Sequence, residues 1–116
     1  MTPSLAATRT WTAVCPLAAI VPDTGVAALV DGGQVAVFRL ADGAVHALGN
    51  HDPCSGANVL SRGILGDVDG EPVVASPVHK QRFSLTTGRC LDAEVTVPVH
   101  PVRVVDGVVE VRLGTP

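Results

Sequence analysis

The chain has 116 residues, the span of one domain, and 47% of them are hydrophobic, so it can bury a core and is not globally disordered. Aromatic residues are 3% and the formal net charge is −3, which argues against the stacking rings and positive field of a general nucleic-acid binder. With only Trp11, Phe38 and Phe83 as rings, the core has to be built from Val, Ala and Leu.

Residues 1–10 (MTPSLAATRT) read as a flexible tail of small and polar residues, with no apolar stretch of signal-peptide length. The longest apolar run, residues 14–21, is broken by Pro16 and falls far short of the ~20 residues that cross a bilayer. A cytoplasmic chain with no membrane partner is expected. The domain proper is placed at residues 11–114.

From Trp11 onward the pattern is that of strands separated by turns. Asp31-Gly32, Asp42-Gly43, Asp69-Gly70, Thr87-Gly88 and Asp106-Gly107 mark the turns, because Asp and Gly accept positive φ at low steric cost. Residues 25–30 (GVAALV), 34–40 (QVAVFRL) and 44–48 (AVHAL) then form an antiparallel meander. Residues 72–75 (PVVA) and 81–85 (QRFSL) form a second pair. Residues 99–105 and 108–113 close the chain as a hairpin, in which Val109, Val111 and Leu113 alternate with Glu110 and Arg112. Nine prolines and twelve glycines leave no window for a long helix. The expected class is all-β, an antiparallel barrel or sandwich of about 8–10 short strands.

Two segments resist the strand pattern: residues 49–63 (GNHDPCSGANVLSRG) and residues 76–81 (SPVHKQ). Both hold Pro and His, and the first holds Cys54. Loops on a rigid β scaffold are where chemistry is usually placed. The cysteines Cys15, Cys54 and Cys90 are odd in number and widely spaced, so a disulfide framework is not expected. Cys15 and Cys90 read as small core hydrophobes. His51 is the one basic side chain close to Cys54 in sequence, and a reactive Cys–His pair would require geometry that spacing alone does not supply. His46 and His100 read as ordinary surface or half-buried residues.

The order of elements from Trp11 to Leu113 resembles a Rieske-type ferredoxin domain. In that family a C-x-H loop and a C-x-x-H loop hold a [2Fe–2S] cluster, one iron on two thiolates and the other on two imidazoles. Laid on that pattern, the ligand positions here are Asp52, Cys54, Ser76 and His79, and only His79 keeps the family's residue. A carboxylate and a hydroxyl are hard donors, poorly suited to an iron–sulfur core. Asp52 is instead expected to accept loop N–H bonds, and Ser76 to make a loop hydrogen bond. His79 is expected to reach Asp52 or backbone across the two loops. No catalytic residue, cofactor site or metal site is therefore expected in this chain.

A narrower resemblance runs through Asn50, Asp52-Pro53, residues 58–63 (NVLSRG), residues 76–83 (SPVHKQRF) and residues 87–91 (TGRCL). These stretches are similar to the small subunits of assimilatory NAD(P)H-dependent nitrite reductases, a Rieske-like group that often lacks the cluster ligands. The resemblance implies an accessory subunit of the enzyme that reduces nitrite to ammonium. It implies a large siroheme flavoprotein partner that carries FAD and a [4Fe–4S] cluster. Arg62, Lys80, Arg82 and Arg89 fall in or just after the two loops, with Asp67, Asp69 and Glu71 near enough in sequence to offset them. The loop tips at residues 58–62 and 80–82 are the expected contact region. Two other readings stand beside this one. The first is a redox-active Rieske-type carrier with an atypical iron site from Asp52, Cys54, His79 and His51. The second is a stand-alone β binding module.

Overall fold

The computed structural model describes residues 10–114. Apart from Thr10, the tail expected at residues 1–10 lies outside the described residues. The strands are β1 (Thr12–Pro16), β2 (Thr24–Val30), β3 (Gly33–Arg39), β4 (Val45–Gly49), β5 (His51–Asp52) and β6 (Ala57–Asn58). They continue with β7 (Ile64–Val68), β8 (Glu71–Ala75), β9 (Arg82–Ser84), β10 (Val99–His100), β11 (Val102–Val105) and β12 (Val108–Val111). Two short 3-10 helices, Leu17–Ala19 and Leu60–Arg62, interrupt them. Among the described residues no helix is long and apolar enough to cross a membrane.

The central sheet has the order β10-β4-β3-β2. Its inner strand β3 explains the near-continuous apolar run QVAVFR, because side chains alternate between the two faces of a strand and here both faces are covered. Val35 and Val37 join Val109 and Val111 of β12 in one core. Ala36 and Phe38 join Val74 of β8 and Phe83 of β9 in the other. β4 divides in the same way, with Ala47 in the first core and Leu48 in the second. The sheet β1-β12-β11 thus covers one face, and the sheet β7-β8-β9 covers the other. The sheets do not close into a barrel, and the layered form of the expected fold is the one adopted.

The meander and the residue 72–85 pair form as the alternation predicts, β2 with β3, β3 with β4 and β8 with β9, all antiparallel. Asp31-Gly32, Asp69-Gly70 and Asp106-Gly107 have positive φ at both residues, the type I′ geometry that matches strand twist. Three features differ from the sequence reading. The strand expected over residues 99–105 is split at Pro101: Val99 and His100 pair with β4, whereas β11 pairs with β12. Proline cannot donate to a ladder, so the chain changes sheets there. β1 pairs with β12 across almost the whole sequence, with a bulge between Ala13 and Cys15. The segment over residues 49–63 is not plain loop, since it folds as the β5–β6 hairpin followed by the 3-10 helix that buries Leu60.

Gly88 carries the turn after β9. Its φ is +76°, and an added Cβ would lie 2.0 Å from the Val97 carbonyl oxygen. That carbonyl belongs to the segment whose Val97 amide donates to the Gly88 carbonyl, so neither side can retreat easily. Gly88→Ala is expected to cost about 2–4 kcal/mol. Gly43→Ala, with φ +94° but open space around it, should cost only about 1 kcal/mol. Urea unfolding of the two variants beside the wild type checks the difference.

Candidate functional site

The two loops singled out by the sequence meet at one end of the molecule. Asn50 organises the first. It is 1% exposed, and its Oδ1 accepts the Ser61 amide at 2.8 Å. Its Nδ2 donates to the Asn58 carbonyl at 3.2 Å, and its own carbonyl accepts the Leu60 amide. One buried side chain thereby ties the start of the loop to its return. Sequence reasoning noted Asn50 only as part of a matching stretch. The signal for its role was an Asn directly after a buried strand, where its amide can satisfy loop backbone that water cannot reach.

Asp52 is fully buried. Its Oδ1 accepts the Cys54 amide at 2.9 Å, and its Oδ2 accepts the Ser55 hydroxyl at 3.0 Å. The third donor comes from the other loop: Ser76 Oγ donates to Asp52 Oδ2 at 2.5 Å. Ser76 Oγ in turn accepts the Val78 amide at 3.2 Å. The second loop closes on itself through Ser76 N to the Gln81 carbonyl and Lys80 N to the Ser76 carbonyl. Burial pushes the Asp52 carboxyl upward, but the hydrogen bonds from Ser76, Cys54 and Ser55 outweigh it and hold the carboxyl below its ordinary value. The acceptor roles expected of Asp52 and the hydrogen bond expected of Ser76 are both formed.

His79 does not make the cross-loop contact expected of it. It is exposed, and the bridge to Asp52 is made by Ser76. His51 is also exposed and is held by Asn58, ring Nδ1 to Oδ1 at 3.1 Å. Cys54 is half-buried against the core that contains Cys90. Burial first, then the negative charge of Asp52, push its thiol up, so Cys54 stays protonated at neutral pH rather than becoming a reactive thiolate. Cys90 is buried as expected and Cys15 is half-buried. His100 is buried rather than superficial, and its Nδ1 accepts the Gly114 amide at 3.0 Å.

The four ligand positions are thus a buried carboxylate, a protonated thiol, a hydroxyl already bonded to that carboxylate, and an exposed imidazole. That donor set does not fit a [2Fe–2S] cluster, which needs two thiolates on one iron. Among the described residues, no group of three or more His, Cys, Asp or Glu is placed to hold a metal ion, including Asp52, Cys54, His79 and His51.

The basic residues near the loops are not equivalent. Arg82 clasps Asp92 with Nη2 to Oδ1 at 2.8 Å and Nε to Oδ2 at 3.0 Å, and the Arg82 amide donates to the same carboxylate. The guanidinium and amide bonds hold the Asp92 carboxyl at about 2. Two of the three acids proposed from sequence to offset the loop cations are occupied elsewhere. Glu71 takes the Ser84 hydroxyl at 2.6 Å, and Asp67 caps the turn at Gly70. Asp92, which sequence reasoning passed over, is the acid that neutralises Arg82.

Because the Asp52 carboxyl lies below its unfolded value, its contribution to stability is complete above the unfolded value and is lost as pH falls through the folded one. Asp52→Ala strands the Cys54 amide and two hydroxyls. It is expected to cost about 2–3 kcal/mol near neutral pH. The cost should shrink in the acid range below the ordinary carboxylate value. Urea titrations of wild type and variant across that range provide the check.

Residues 10–112 match the Rieske-like [2Fe-2S] domain family. The chain is 46% identical to the nitrite reductase (NADH) small subunit of Salmonella typhimurium, over 88% of this chain and 96% of that one. It is 49% identical over 85% of its length to part of the nitrite reductase [NAD(P)H] large subunit of Klebsiella oxytoca, of which it spans only 10%. Among solved structures, the NMR structure of the E. coli protein NirD superposes with a TM-score of 0.85 at 43% identity, covering 92% of this chain and 99% of that one. The chain therefore belongs to the Rieske-like domain family and, within it, to the nitrite reductase (NADH) small subunits.

Proposed function

We propose that this chain is a cluster-free accessory subunit of a cytoplasmic NAD(P)H-dependent nitrite reductase that makes ammonium for nitrogen assimilation. The observation that carries the reading is the Asp52–Ser76 bond. The two loops that would each deliver ligands to a cluster are joined directly, carboxylate to hydroxyl, at two of the four ligand positions. Asp52 accepts three hydrogen bonds and Ser76 Oγ donates one and accepts one, so iron would have to displace this network, and a hard oxygen pair would be a poor substitute for thiolates.

The partner is a large siroheme flavoprotein chain that carries FAD and a [4Fe–4S] cluster, and the chemistry belongs to that chain. The Klebsiella relative supports the pairing, because there a domain 49% identical to this one sits within a protein described as the large subunit. Covalent attachment in one protein and separate chains in another are two ways of keeping the same pair together. The small chain contributes by binding: it stabilises a competent arrangement of the larger one by mass action.

Two measurements test this. The purified chain should be colourless, and reconstitution with iron and sulfide should leave it far below one cluster per chain; a stable stoichiometric cluster would overturn the cluster-free reading. Replacing Asp52→Cys, Cys54→His and Ser76→Cys together restores the family's ligand set around His79, and that variant should take up a cluster. Separately, NAD(P)H-driven nitrite reduction by the large chain should rise, or its thermal inactivation should slow, when this chain is added. Unchanged turnover and unchanged stability would favour the stand-alone binding module.

A further inference from the structure

The structure sorts the residues of the loop end into those that hold it and those that are left outward. Asn50, Asp52, Ser55 and Ser76 hold it. The Asp52–Ser76 bond joins the two loops, with Pro53 following the joined residue in the first and the Pro77–Lys80 turn following it in the second. Val78 is 49% exposed although its amide is anchored on Ser76 Oγ. Pro53, Pro77, His79 and Lys80 are exposed with it.

Lys80 is the unusual member. It sits at φ +62°, the left-handed region. Among the described non-glycine residues with positive φ, every other one is an aspartate. Aspartate tolerates that region through local side-chain hydrogen bonds, whereas a lysine has no such compensation and a glycine would serve the backbone better. A long cationic side chain kept at a strained apex points to a use for the side chain itself.

The charge of this end is one-sided. Within residues 50–63 and 76–82 the acids reduce to Asp52, which is buried. The nearby exposed acid Asp92 is clasped by Arg82. Lys80 and Arg62 are exposed and lie outside the ion pairs of the described residues, in a chain whose net charge is −3.

We infer that the apex formed by Pro53, Val78 and Lys80 is the surface that docks on the large reductase chain, meeting an apolar patch rimmed by acidic side chains. This rests on the accessory-subunit reading and narrows it to one face. The apolar apex supplies the desolvated centre of the contact, and Lys80 supplies attraction and orientation at its edge. It keeps Lys80 from the contact region read in the sequence and adds Pro53 and Val78, because Arg82 is committed to Asp92 and Asn58 to His51.

The test is calorimetric titration of the purified large chain with this chain at low and high salt. Val78→Asp should weaken binding about tenfold or more. Lys80→Gly should raise the melting temperature by relieving the backbone, yet weaken binding several-fold and flatten its salt dependence, a combination that a purely structural lysine would not give. Leu29→Asp on β2 and Val104→Asp on β11, exposed at other places, should leave affinity within about twofold, as separate surface sites do. Loop variants that bind like wild type, while a control variant loses binding, would overturn this face and leave the partnership intact. A wild-type chain that fails to bind the large chain would overturn both. Self-association that disappears in Val78→Asp, with binding to the large chain unaffected, would assign the face to a second copy and overturn the proposal.

Discussion

The buried hydrogen bond between Asp52 and Ser76 is the interaction on which the joining of the two loops depends. An ionised carboxylate excluded from water is costly unless its oxygens are satisfied. Here three donors from two loops satisfy them: the Cys54 amide, the Ser55 hydroxyl and the Ser76 hydroxyl. The same requirement that makes Asp52 expensive to bury makes it an effective clasp, because separating the loops would leave the charge without its strongest partner. In the wider family a metal cluster spans these loops. In this chain a carboxylate and a hydroxyl span them with ordinary side-chain chemistry.

The clasp is built on strands anchored in the cores. β4 and β8, which feed the two loops, contribute Leu48 and Val74 to a single core together with Phe38 and Phe83. The central sheet is packed on both faces, so the strand ends are located by two cores rather than one. Asn50 extends that order into the first loop by pinning Ser61 and Asn58. The second loop has less internal structure and relies on the Ser76 to Gln81 and Lys80 to Ser76 backbone bonds.

This division of labour fits a subunit that acts by contact. The buried polar residues of the loop end are spent on one another. The thiol of Cys54 is held protonated, and the strongest exposed ion pair there, Arg82 with Asp92, is internal. What remains outward is a small apolar apex with a cation at its rim. That surface is the one proposed above to meet the large chain.

Much of the architecture was legible in the sequence because it is written in local rules. Asp-Gly pairs mark tight turns through positive φ, and the alternation of Val109 and Val111 with Glu110 marks a half-buried strand. The family was legible in the same way, through stretches such as NVLSRG and SPVHKQRF. What the sequence could not determine were relations between distant residues. The pairing of β1 with β12 and the change of sheet at Pro101 depend on which edges are free once the cores have formed. The choice of Ser76 over His79 as the partner of Asp52 depends on which side chain the turn directs inward. The neutralisation of Arg82 by Asp92 depends on the bend after Cys90 folding back beside the start of β9. Local propensity acts over a few residues, whereas burial and hydrogen-bond satisfaction are settled only by the whole packed chain.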